Sequence, residues 1–246
     1  PQKETLIDTI PWALDAGYRL IDTSDNYDNQ EFIGKAVTES ILCDQCIIIT
    51  KASFPLRISS LEDDFYKSKE LLGIPRDRPV GLFLIHFPYP HLYMDMWKIM
   101  EKLYEEGQCL AIGVCNFQLE HLQKLMKICK IKPMVNQTEI HPMFRQLDVC
   151  RYCQDNGIAI MSYSPLARMN PKLTGNDTLK EIAKKYGKEV TQVVLRWDMQ
   201  HAYIPLPAAS KNDHIRSNWE AHDFELTQEE MDRIDRLDCG MRIRYN

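Results

Sequence analysis

The chain alternates short apolar runs with longer segments in which apolar residues return every three or four positions. The runs are "YRLIDT" (18–23), "CIIITKA" (46–52), "VGLFLIHF" (80–87), "LAIGVCNF" (110–117), "PMVNQTEIHP" (133–142), "IAIMSYSP" (158–165) and "YIPLPA" (203–208). They are continuous rather than alternating in hydrophobicity, the pattern of parallel strands covered on both faces. Between them, "QEFIGKAVTESI", "HLYMDMWKIMEKLYEE" and "LEHLQKLMKICK" have the period of amphipathic helices. Gly17, Gly73, Gly107, Gly157 and Gly187 each close a helical pattern, where a left-handed cap is needed. "LTQEEMDRIDRL" announces a last helix through a capping box, Thr227 with Glu230.

A βαβα order leaves an open doubly wound sheet or a closed (β/α)8 barrel. No glycine-rich nucleotide loop follows the first visible strand. Instead, polar residues recur at the C-terminal ends of many strands: Asp22, Lys51, His86, Asn116, Gln137 and Tyr163. A barrel gathers all those ends around one mouth. The fold expected is therefore a (β/α)8 TIM barrel, a single domain over residues 1–246. Its first strand is expected to be missing, since the chain opens directly on the helical pattern "ETLIDTIPWALDAG". Pro11 should kink that helix or start it. "LARMNPKLTGND" (166–177) reads as the longest irregular stretch and an edge of a binding cleft.

Composition narrows the function. With 246 residues, 44% of them hydrophobic, the chain can bury a large core. A net charge of −5 argues against nucleic acid as partner, and no apolar run reaches membrane-spanning length. A cytoplasmic protein acting on a small molecule, as a monomer or weak oligomer, is the expectation. Of the eight cysteines, Cys43 with Cys46 and Cys150 with Cys153 have a metal-like spacing. The second pair falls in a helical pattern, and reduced structural thiols with no metal is the reading preferred.

At three successive strand ends stand an aspartate, a lysine and a histidine, with Tyr27 in the loop after the first. Each has a bland role open to it: Asp22 as a turn cap, Tyr27 as packing, His86 as a core histidine. Together they make a proton donor with its tuning parts. A nearby ammonium favours the phenolate, an aspartate holds the ammonium, and a histidine orients a substrate oxygen.

"AGYRLIDTSDNY", "IIITKAS", "LFLIHFP", "AIGVCNF", "VNQTEIHP", "SYSPLA" and "DFELTQEEMDRIDRL" follow one another in an order that strongly resembles the aldo-keto reductases, from about residue 12 to residue 238. The resemblance implies a catalytic tetrad of Asp22, Tyr27, Lys51 and His86, with Asp25 merely solvated. It implies NADPH, with NADH as the alternative, held by Thr23, Asn116 and Gln137, by Tyr163 stacked on the nicotinamide, and by Ser164 and Leu166 near the pyrophosphate. Leu206 and Pro207 replace the family's usual Lys-Ser pair, which leaves Ser210, Lys211, His214, Arg216 and Asn218 to hold the far end of the nucleotide. Phe54 and Phe87 match walls of the substrate pocket. The implied activity is reduction of an aldehyde or ketone to an alcohol, with the proton from Tyr27. The competing reading is a non-catalytic nucleotide-binding or scaffold protein on the same fold. A metal-dependent hydrolase would need clustered histidine and carboxylate ligands, and the His-x-His pairing that would suggest one is absent.

Overall fold

The computed structural model describes residues 5–53 and 58–244. They fall into two compact units, Pro1–Asn136 and Gln137–Asn246.

The first unit begins with helix α1 (Leu6–Ala16), which starts well before Pro11 and continues through it. Proline removes one intrahelical donor, and the carbonyl left without a partner belongs to Ile7, an exposed residue. Leu6, Ile10 and Leu14 meanwhile pack into a core cluster with Ile21, Ile33, Val37, Ile48 and Leu72. Burial of that face outweighs the lost bond. The helix ends at Gly17, whose φ of 117° few other residues adopt.

Strands β1 (Leu20–Asp22), β2 (Ile47–Ala52), β3 (Val80–Ile85) and β4 (Cys109–Cys115) follow, side by side in chain order and all parallel. Helices α2 (Gln30–Thr38), α3 (Leu61–Leu71) and α4 (Tyr93–Glu105) make the crossovers, and α5 (Leu119–Met126) follows β4. From Ile48 to Ala52 every residue of β2 is buried, which is why this run carries no polar alternation. Asp22 pairs with Ile49 and Lys51 with Leu84. The ladder runs on past the strands, Thr23 N–H donating to Ile49 O and His86 N–H to Ala52 O. Parallel register thus brings the polar C-terminal ends of β1, β2 and β3 to one level.

Strand β5 (Val135–Glu139) crosses the division between the units. In the second unit α6 (Leu147–Asp155) precedes β6 (Ala159–Tyr163), which pairs in parallel with β7 (Ile204–Leu206). Cys150 and Cys153 lie buried on α6, as the three-residue spacing on a helix implies, and neither is in a disulfide. Burial pushes the Cys150 thiol up to about 12, so it is inert at neutral pH.

The stretch 166–177 is not irregular. It holds a tight turn at Ala167–Met169, all three with positive φ, then α7 (Pro171–Thr174), and α8 (Asp177–Tyr186) begins at its end. The Asn170 side chain accepts from Lys172 N–H and Pro171 occupies the first helical position, a start signal that the surrounding polar residues obscured. Helices α9 (Val190–Gln200), α10 (Asn212–Trp219) and α11 (Gln228–Asp235) complete the unit. The last has the capping box expected: Thr227 Oγ1 accepts from Glu230 N–H, and the Glu230 carboxylate from Thr227 N–H.

Candidate active site

The four residues of the expected tetrad lie in the first unit and are in contact. Lys51, at the end of β2 with its side chain wholly buried, donates from Nζ to Asp22 Oδ2 at 2.7 Å and to Thr23 O at 2.8 Å. The same ammonium lies 4.9 Å from the centre of the Tyr27 ring. A lysine sealed at the end of an apolar strand requires a counter-ion, and Asp22 on the neighbouring strand is that counter-ion. Burial alone would lower the Lys51 pKa; the Asp22 carboxylate and the Tyr27 phenol outweigh it and hold the group above its usual value. Lys51 is an ammonium at neutral pH.

Tyr27 closes a single 3-10 turn, Asp25–Tyr27, directly after β1. Its ring is 42% exposed, but its hydroxyl is sunk between Lys51 and His86. This burial raises the phenol pKa above its ordinary 10; Lys51 pulls it down and Asp22 up by smaller amounts. The hydroxyl is therefore protonated at neutral pH, the form a proton donor must take. His86 Nε2 lies 3.4 Å from the Tyr27 oxygen, and the two rings meet edge to face.

His86 is held from several sides. Asn116, buried and with φ of 63°, donates from Nδ2 to the His86 carbonyl at 3.0 Å. The ring stacks on Phe87 at 4.7 Å. Its Nδ1 faces two hydroxyls, Ser24 Oγ at 3.1 Å and Ser53 Oγ at 3.2 Å. Asp25 is correspondingly not just a solvated acid. Its carboxylate accepts from Ser53 N–H at 3.0 Å and from the hydroxyls of Ser53 and Ser24 at 2.5 and 3.0 Å. The two serines are the site residues that sequence reasoning passed over. The available signal was a hydroxyl one residue past Ala52, level with the one two residues past Asp22. Of the two pocket aromatics, Phe87 is placed against His86, and Phe54 lies outside the described residues.

Of the residues expected to hold a cofactor, Thr23 is buried and donates to Asn29 Oδ1 at 2.6 Å. In the second unit Gln137 is buried within β5, Tyr163 ends β6, Ser164 follows with φ of 51°, and Leu166 leads into the Ala167–Met169 turn. Lys211 is the N-cap of α10 and makes no side-chain cap bond; Ser210 and His214 beside it are exposed, and Asn218 is buried in the next turn. A helix start without a side-chain cap, flanked by a free-standing lysine, suits an anionic group. Among the described residues no cluster of histidine, cysteine and carboxylate side chains could bind a metal ion.

Residues 1–238 match the model of the aldo/keto reductase family. The chain belongs to the aldo-keto reductases. It is 40% identical over 241 residues to the 9,11-endoperoxide prostaglandin H2 reductase of Trypanosoma cruzi, covering 95% of this chain and 83% of that protein. It is 40% identical over 245 residues to the glyoxal reductase of Bacillus subtilis, covering 97% and 86%. A crystal structure of a silkworm aldo-keto reductase complexed with NADPH superposes with a TM-score of 0.92 at 30% identity, over 98% of this chain and 80% of that one. The (β/α)8 barrel with one strand fewer, read from the alternation of apolar runs, is the fold class these likenesses support. This aldo-keto reductase is an NAD(P)H-dependent oxidoreductase.

Proposed function

We propose that this aldo-keto reductase reduces small aldehydes and ketones, with NADPH as cofactor and Tyr27 as proton donor. The observation that carries the reading is the placement of the Tyr27 hydroxyl among a sealed Lys51–Asp22 ion pair and the His86 ring. Bound at this site, the nicotinamide supplies a hydride to the carbonyl carbon.

The chain's own residues manage the charge that appears on oxygen. As the carbonyl oxygen becomes an alkoxide it takes the proton from Tyr27 Oη; the new O–H bond forms as the phenol's breaks. The phenolate left behind is stabilised by the Lys51 ammonium, which Asp22 prevents from turning away. Since Tyr27, Lys51 and Asp22 are held before substrate arrives, little reorganisation accompanies the step. Phe87, stacked on His86, offers an apolar wall to the substrate's carbon side.

The resemblance assigns Thr23, Asn116, Gln137, Tyr163, Ser164 and Leu166 to the cofactor. Lys211, Ser210, His214 and Asn218, around the start of α10, are assigned to its 2′-phosphate, with Lys211 as the point charge. The Bacillus subtilis relative is a glyoxal reductase, which makes glyoxal the first substrate to offer. Loss of NADPH absorbance on adding glyoxal is the expected result. Saturable NADPH binding without turnover of glyoxal or of any simple aldehyde would instead favour a nucleotide-binding protein without catalysis.

A further inference from the structure

Two cysteines that the chemistry above does not use stand just before β2, at the opposite end of that strand from Lys51. Cys43 opens a single 3-10 turn, Cys43–Gln45, and Cys46 follows it. The Cys46 N–H donates to the Cys43 carbonyl at 3.1 Å. A turn closed in this way holds its first and fourth Cα atoms within about 7 Å, and a disulfide spans about 4.4–6.8 Å. The two side chains also share one side of the turn. Both pack against the core cluster around Val37 and Ile48, and both line a cavity of about 130 Å³ together with Thr38, Ile74 and Arg78. Their surroundings set them apart from the other pair with the same spacing. Cys150 and Cys153 are 2% and 0% exposed, sealed where no dissolved oxidant reaches them. Cys43 and Cys46 are half-buried, open to solvent in part, and neither is in a disulfide. A metal has too few ligands here, since among the described residues no three histidine, cysteine or carboxylate side chains are grouped to hold one.

We propose that Cys43 and Cys46 are a reversible redox pair, converted by a low-molecular-weight disulfide to an intramolecular disulfide that fastens the connection between α2 and β2. Cys43 reacts first. Cys46 is the poorer nucleophile, because its S–H donates to the Leu42 carbonyl at 3.3 Å and burial holds the thiol above its ordinary pKa. The Cys43 thiolate attacks one sulfur of the small disulfide, whose S–S bond breaks as one small thiolate leaves. Cys46, once deprotonated, attacks Cys43 Sγ; the mixed S–S bond breaks and the second small thiolate leaves. Two protein thiols have then been oxidised by two electrons and the small disulfide reduced to two thiols, which take up the two protons the cysteines gave to water. The second step is intramolecular, so the tether between the cysteines favours ring closure over a second mixed disulfide. The turn is already held in the shape it needs: Asp44 and Gln45, between the two cysteines, accept from Arg78 and Arg19.

The test uses the full chain, reduced and then equilibrated with glutathione buffers of rising disulfide content, blocked with iodoacetamide and digested with trypsin. Both cysteines fall in one peptide, residues 36–51, so its mass reads the pair directly. The expected product is lighter than the reduced peptide by two hydrogens, carries neither blocker nor glutathione, and reverts with dithiothreitol. Cys46→Ser should instead stop at the mixed disulfide of Cys43 with glutathione. A parent peptide blocked at both positions in a buffer that modifies the exposed Cys239, or one carrying two glutathiones, overturns the proposal. The oxidised parent should also unfold at a higher urea concentration than the reduced parent, because the bridge restricts the unfolded chain, and the shift should be absent in Cys43→Ser. Equal midpoints for the two redox states of the parent would reject the fastening. None of these measurements depends on Tyr27, a nucleotide or a carbonyl substrate, so their outcome is independent of the reductase reading.

Discussion

Lys51 Nζ sits 2.7 Å from Asp22 Oδ2, a buried ammonium paired with the carboxylate at the end of the next strand. The pair joins fold to chemistry, since the register that places Asp22 opposite Ile49 brings it within reach of a side chain two residues further along β2. Lys51→Met removes the one influence of the three strongest that lowers the Tyr27 pKa, leaving burial and the Asp22 charge, both of which raise it. The phenol of the variant should titrate higher than the parent's, read from the carbon resonance of a labelled tyrosine ring. The reduction rate should fall by at least about 100-fold, because the phenolate formed on proton transfer has lost its counter-ion. A phenol pKa unchanged in the variant would mean that Lys51 does not tune Tyr27.

Tyr27→Phe separates binding from chemistry. The ring survives and with it the contact to His86, whereas the donated proton is gone. Aldehyde reduction should be lost while NADPH still quenches tryptophan fluorescence with the parent affinity. Reduction at the parent rate would reject Tyr27 as the donor.

The exposed lysine at the start of α10 bears on cofactor choice. Lys211→Ala should weaken NADPH by about tenfold, near the worth of one charge-assisted contact, and leave NADH unaffected, because only the former carries the 2′-phosphate. Titrations with both nucleotides decide it; equal weakening of the two would place Lys211 elsewhere in the cofactor's path.

Much of this was legible in the chain. The seven strands among the described residues were visible, most plainly β2, β3 and β4, whose covered faces read as nearly unbroken apolar runs, and Lys51 and His86 stand out as polar residues ending such runs. Asp22, which ends β1, and Tyr27, in the turn after it, were read from the same strand-end pattern. Asp25 was misread because its partner, Ser53, lies 28 residues away and meets it only through the register of β1 on β2. No local pattern encodes such a pairing. Glu139 gives a second case. Its carboxylate accepts from His141 and from the backbone N–H groups of Ile243 and Arg244, over a hundred residues later, and nothing in "NQTEIHP" announces it.

Gly34 tests the packing behind the site. It lies within α2, where glycine ordinarily weakens a helix by about 1 kcal/mol relative to alanine. Here a Cβ would stand 2.6 Å from the carbonyl oxygen of Leu71 and 2.7 Å from the carbonyl carbon of Leu72, backbone atoms at the end of α3 that cannot swing aside. Gly34→Ala should therefore destabilise the protein, by about 1–3 kcal/mol, despite its better helix propensity. Thermal unfolding measures it, and a rise in Tm would show that α2 and α3 have room to separate.

Glu230 gives a pH dependence whose sign follows from the structure. Its carboxylate, 5% exposed, accepts from Lys185 Nζ at 2.6 Å, Tyr186 Oη at 2.7 Å and Thr227 N–H at 2.8 Å, tying α8 to the start of α11. Burial pushes its pKa up, but Lys185, Tyr186 and Thr227 together outweigh that and hold it at about 2, against an ordinary 4.5. A carboxylate with a depressed pKa stabilises the folded state when ionised. The contribution is thus complete above pH 4.5 and fades as the pH falls toward 2. Because Lys185 is more than half exposed, solvent screens the pair, and about 1–2 kcal/mol is the expected size. Glu230→Gln keeps a side chain able to complete the capping box, so the helix start survives and the charge alone is removed. The variant should unfold at a lower temperature than the parent at pH 7, and the gap should close between pH 4.5 and pH 2. A gap that persists unchanged at pH 2 would trace the loss to packing around residue 230, since by then about half of the parent's carboxylate is itself protonated and most of the linkage is gone.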